Sequence, residues 1–128
     1  MINLANMRYL ANQGVWKLNL PRLEIIVAGT NEAPDPYRIQ RANDVIRDLD
    51  TIVVKAKEYL RNFVATERLD STGAWDLGCI EFGRDPDSEM ASFEMQFQLD
   101  NDIYGLWTVR FRCAESGYWP VLFSREQY

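Results

Sequence analysis

The chain contains no histidine. That absence removes the side chain best suited to proton transfer near neutrality and the commonest transition-metal ligand, so histidine-based triads and zinc sites are excluded. Cysteine is scarce, with Cys79 and Cys113 alone. Both lie in apolar, strand-like runs without C-x-x-C or metal spacing, and read as buried free thiols rather than a disulfide or ligand pair. Neither a G-x-x-x-x-G-K-[ST] loop nor a G-x-G-x-x-G turn occurs, and Ser71, Ser88, Ser92, Ser116 and Ser124 stand in no nucleophile-elbow context. No apolar run approaches the roughly 20 residues needed to cross a bilayer. The opening MINLANMRYLANQG lacks the basic start and continuous apolar stretch of a signal peptide, so the expected address is cytoplasmic and no membrane partner is expected.

What is present describes one domain. At 128 residues, 47% hydrophobic and 26% charged, the chain is long enough to bury a core without staples, and residues 1–128 read as a single α+β domain. The net charge of −5 is unevenly spread. Residues 1–35 balance, 36–66 carry +2, and 67–128 carry −7, with five basic against twelve acidic groups. Such a surface repels nucleic acid and anionic lipid and attracts a basic partner at a rate that falls as salt is added.

Periodicity places the elements. Between Pro36 and roughly Thr66, Ala42, Val45, Ile46, Leu49, Ile52, Val53, Ala56, Leu60, Phe63 and Val64 recur at helical spacing, which predicts one long amphipathic helix. Arg38, Arg41, Asp44, Arg47, Asp48, Lys55, Glu58, Arg61 and Asn62 fall largely on its polar face. Asp35-Pro36 supplies an N-cap followed by proline at the first helical position. Ahead of it, Trp16, Leu18 and Leu20 alternate with Lys17 and Asn19, and Leu23, Ile25 and Val27 alternate again after Pro21-Arg22, which predicts a hairpin. Residues 2–11 have no clear period and read as a weak strand or short helix.

After the helix come four strand-like runs that predict an antiparallel meander, with the helix packed on one face. Phe93, Met95, Phe97 and Leu99 alternate with Ser92, Glu94, Gln96 and Gln98. Trp107, Val109, Phe111 and Cys113 alternate with Leu106, Thr108, Arg110 and Arg112. Arg110 and Arg112 can therefore lie across from Glu94, Gln96 or Gln98. Trp75, Leu77 and Cys79 share one parity and Ile80 and Phe82 the other, which predicts a bulge near Gly78. Pro120 within the last run favours an edge strand. At least three of the four tryptophans read as core, and one exposed near an acidic end would be an interface anchor.

Carboxylates are the remaining candidates for chemistry. Asp44 and Asp48 lie one helical turn apart, but between Arg41 and Arg47 on a solvated face they read as surface charge. Asp85-Pro86-Asp87-Ser88-Glu89 starts like a calcium loop, yet its sixth position is Met90 rather than glycine and its twelfth is Gln96 rather than glutamate. Asp100-Asn101-Asp102 has the composition of a tight turn. No catalytic, cofactor or metal site is expected. A meander alternates its turns between two ends, placing Asp85, Asp87, Glu89 and Glu115 at one and Asp70, Asp76, Asp100, Asp102 and Glu126 towards the other. Asp85, Asp87, Glu89, Asp100 and Asp102 are the residues expected to meet a basic protein.

The order of elements, with W-D-L-G-C-I-E-F, S-F-E-M-Q-F-Q-L, G-L-W-T-V-R-F-R-C and Y-W-P-V-L-F-S-R in the strands, resembles the small acidic immunity proteins of bacterial contact-dependent and other polymorphic toxin systems. The likeness covers residues from about 15 to 125 and rests on size, acidity and element order. It implies a non-enzymatic module without cofactors that binds a cognate toxin domain, often a nuclease, and neutralises it by electrostatic capture and active-site occlusion. The alternative expectation is a subunit or adaptor that binds through a sheet edge or helix face.

Overall fold

The computed structural model describes residues 1–64, 75–84, 87–100 and 102–127. Seven strands form one mixed sheet in sequence order: β1 (Arg8–Leu10), β2 (Val15–Leu20), β3 (Leu23–Ala28), β4 (Trp75–Phe82), β5 (Ser92–Leu99), β6 (Asp102–Ala114) and β7 (Gly117–Gln127). Every neighbouring pair is antiparallel except β3 and β4, which run parallel. The crossover between those two carries α1 (Pro36–Arg47) and α2 (Leu49–Leu60).

Two expectations are corrected here. The strands are not a hairpin and a four-stranded antiparallel meander, because Glu24–Val27 pair in parallel with Cys79–Phe82 and join seven strands into one mixed sheet. Nor is there one long helix. Asp48 has φ −99° and ψ 16°, off the helical values, and separates two twelve-residue helices. Its carboxylate does not cap α2. It accepts hydrogen bonds from Arg47 and from the Tyr118 hydroxyl at 3.0 Å, tying the break to β7. The bend lets α1 lie on β3 and β4 while α2 reaches β7, which a straight rod across a twisted sheet could not do.

The helix start is as the sequence predicts. Asp35 Oδ1 accepts from the Tyr37 N–H at 3.0 Å, with Pro36 at the first position. Arg38, assigned to the polar face by periodicity, is instead 2% exposed. Its guanidinium donates to the Ser88 carbonyl at 2.7 Å and to the Phe82 carbonyl, and pairs with Asp35. The helix N-terminus is thereby clamped to the β4–β5 loop. Gly83 makes room for the clamp: its φ is +83°, and a Cβ there would stand 2.1 Å from Arg38 Nη1.

Register assigns each strand residue to a face. The helix-covered face carries the main core, including Ile25, Val27, Ile80, Met95 and Val109, with a ladder of stacked rings running Phe82, Phe93, Phe111 at centroid spacings of 5.6 and 5.1 Å. Each such side chain contributes about 1.5–3 kcal/mol through burial. The opposite face has no helix over it among the described residues. Its β1–β4 half holds a small apolar patch, with Val15, Ile26 and Cys79 buried together and Leu10 against them, beside the Lys17–Glu24 ion pair. The β4–β7 half is polar. The Gly78 bulge is present between Leu77 and Cys79, and Pro120 lies on β7, an edge strand that bulges opposite Arg110 and Phe111.

Candidate functional site

The polar half of the uncovered face is a built surface. Four strands place their outward residues in rows: Glu81, Glu94, Arg110 and Leu122 in one, Cys79, Gln96, Thr108 and Ser124 in the next, and Asp76, Gln98, Leu106 and Glu126 in a third. Neighbouring strands are about 4.8 Å apart and alternate residues along a strand about 6.7 Å. The rows enclose a concavity of about 660 Å³ extending to Gly83, Ser88 and Glu89.

Most of its charges are already paired. Glu81, 6% exposed, accepts both prongs of the Arg84 guanidinium, one at 3.1 Å, and the Gln96 amide at 3.0 Å. Two parallel guanidinium bonds fix both planes, a stronger arrangement than a single contact. The Glu81 carboxylate in turn holds the Arg84 guanidinium above its usual pKa. Arg110 donates twice to Glu94, at 2.8 and 3.1 Å, the cross-strand pair anticipated from alternation. Arg112 reaches Glu89 at 2.7 Å. Beside this surface the Cys79 thiol is pushed up to about 12, chiefly by burial and secondarily by Glu81 and Glu24. It is a packing residue, not a thiolate.

Of the five acids singled out from sequence, the four among the described residues are dispersed. Asp85 lies outside the described residues, as does Asp70. Asp87 is exposed in the β4–β5 loop, and Glu89 is bound to Arg112. With Arg84 and Arg112 beside them, that end is not purely acidic. The oxygens of Ser88 serve the fold: its carbonyl takes Arg38 and its hydroxyl accepts from the Arg84 N–H at 3.2 Å. Asp100 is exposed at the β5–β6 turn.

Asp102 departs most from the expectation of an exposed acidic tip. At 9% exposure it accepts from Arg125 at 2.6 and 2.7 Å and from the Trp107 indole N–H at 2.8 Å. Its position is made possible by Gly105, where a Cβ would stand 2.4 Å from Asp102 Oδ2. Asp102 is a latch between β6 and β7. The Asp44–Asp48 pair is likewise engaged, with Asp44 accepting from Gln40 and Arg47. Hydrogen bonds from Arg47 and then Tyr118 hold the Asp48 carboxyl below its ordinary range.

Sequence reasoning missed Glu81, Gln96, Thr108, Ser124 and Glu126 as neighbours. The alternation of β5 and β6 contained the first part of that signal. Pairing with β7 needed the bulge near Pro120, which changes parity. Of the tryptophans, Trp107 is buried, Trp16 and Trp75 pack at the core's margin, and Trp119 is 50% exposed with Lys55 Nζ 4.9 Å from its ring centre. No helix among the described residues is long and apolar enough to cross a membrane. Compared with known proteins, the chain matches no family model, no curated protein and no solved structure.

Proposed function

We propose that the protein is a recognition module, without chemistry of its own, that captures a basic partner protein on the uncovered face of its sheet. The observation that carries this reading is the concavity itself: about 660 Å³, bounded by four carboxylates, Glu81, Glu89, Glu94 and Glu126, against two guanidiniums, Arg84 and Arg110. The net charge of −5 supports it, since a negative surface accelerates encounter with a cationic one. The exposed acids Asp87, Asp100 and Glu115 steer; the polar face supplies the contacts. In its most concrete form the partner is a toxin domain, such as a nuclease, whose basic substrate-binding surface is occluded. The test is co-expression with the product of the adjacent gene. Rescue of growth, with a complex that weakens steeply between about 50 and 200 mM salt, is the expected result; no rescue and no complex would remove the reading.

A second reading, an adaptor that binds through the β7 edge, draws on exposed Trp119, Val121 and Leu122 along that strand. Pro120 and the bulge beside it oppose strand addition there, because a proline has no N–H to offer a ladder. Sedimentation at increasing protein concentration separates the two: concentration-dependent self-association that survives high salt favours the edge.

A further inference from the structure

We infer that the trough between β6 and β7 on the uncovered face is a slot for one side-chain cation, a lysine or arginine of the partner, with Glu126 as its anchor. The inference rests on the recognition reading above and names the chemistry of its contact. Three of the four carboxylates around the concavity already hold an arginine: Glu81 has Arg84, Glu94 has Arg110 and Glu89 has Arg112. Glu126 makes no ion pair with any described residue, is exposed, and lines the same concavity. Among the four carboxylates that line the concavity, Glu126 is thus the one without an arginine among the described residues.

The residues leading to Glu126 suit the rest of such a side chain. Along β7 the outward positions run Leu122, Ser124, Glu126, and along β6 beside them Arg110, Thr108, Leu106. From Leu122 to Glu126 is about 13 Å at strand spacing, room for an extended basic side chain and the backbone that carries it. Its alkyl stem lies on Leu122 and Leu106, which are incompletely buried. The hydroxyls of Thr108 and Ser124 face one another across the strands, have no side-chain hydrogen bond among the described residues, and accept from an ammonium or guanidinium. Polarity fixes the direction. Arg110 at the opposite end repels a cation even while paired to Glu94, so the charged head points to Glu126.

The probe is the tripeptide acetyl-Gly-Arg-Gly-amide, titrated into ¹⁵N-labelled protein, with the isosteric uncharged citrulline peptide as control. Saturable amide shifts confined to 106–108 and 122–126 are expected for the arginine peptide and none for citrulline. Glu126→Gln should weaken binding by about tenfold or more, the range for losing a charge-assisted contact. Glu58→Gln, which alters overall charge equally on the exposed side of α2, should leave it unchanged. Shifts spread evenly over all acidic tips, no shifts at all, or equal loss from both substitutions would overturn the slot. A captured partner whose affinity ignores Glu126→Gln would overturn the slot and leave the recognition reading standing. Failure to capture any basic partner, with the tripeptide still bound, would do the reverse.

Discussion

Asp100 and Asp102 stand two residues apart, share a charge and look alike in sequence, yet their replacement by alanine should differ sharply. Asp102 accepts from the Trp107 indole at 2.8 Å, and Trp107 is 2% exposed. In Asp102→Ala the buried indole N–H loses this acceptor, a loss of about 1–3 kcal/mol. Arg125 can turn its guanidinium to water, so the indole carries the figure. Taking the middle of that range, a domain of this size should lose roughly 6–10 °C in Tm. Asp100→Ala, at an exposed turn, should stay within about 0.5 kcal/mol of the parent. Urea unfolding by tryptophan fluorescence is the assay, read as a change in midpoint at constant slope. A cycle with Trp107→Phe isolates the contact: without the indole, Asp102→Ala should lose most of its effect. A cost below about 0.5 kcal/mol, or the same cost in both backgrounds, would refute the latch.

Other expectations can be checked as directly. Gly83→Ala should destabilise by roughly 1–3 kcal/mol, since it combines a positive φ with a collision at Arg38, read in the same urea experiment. Tyr118 is pushed up to about 12, chiefly by burial and then by its bond to Asp48. Its raised value stabilises fully below about pH 10, the unfolded value, and that contribution falls away as pH rises through 12, because the unfolded chain loses the proton first. Ultraviolet titration should show a tyrosine ionising late, and Tyr118→Phe should abolish that step; an unchanged curve would contradict it. Burial raises both thiols, Cys79 and Cys113, so iodoacetamide at pH 8 should label the native protein slowly and the unfolded chain fast, by mass spectrometry. Rapid native labelling would count against the packing described.

How much of this was legible depended on how local the cause was. The Asp35-Pro36 start, the Gly78 bulge and the Glu94–Arg110 pair each follow from a few adjacent residues or from strict alternation, and each is present. The break at Asp48 has no glycine or proline to announce it; it sits where Asp48 bonds Tyr118, seventy residues on. The β3–β4 pairing was hidden by the crossover between them, although Ile25-Ile26-Val27-Ala28 carries a clue. Four consecutive apolar residues, all buried in the structure, suit a strand deep inside a sheet, where a parallel pair belongs. Asp102 read as a turn residue because its partners, Trp107 and Arg125, lie on two other stretches of strand. The trough at Glu126 required three registers and a parity change at the bulge, none of which a single strand discloses.

The most direct test of the uncovered face as the recognition surface is the affinity of the co-expressed partner for Thr108→Arg. That substitution places a long cation on the floor of the concavity, next to Ser124, at a position half-exposed and outside the core. The account predicts an unchanged circular dichroism spectrum and melting temperature with partner binding lost by at least a hundredfold, about 2.8 kcal/mol. A folded Thr108→Arg protein that binds its partner as tightly as the parent would contradict it.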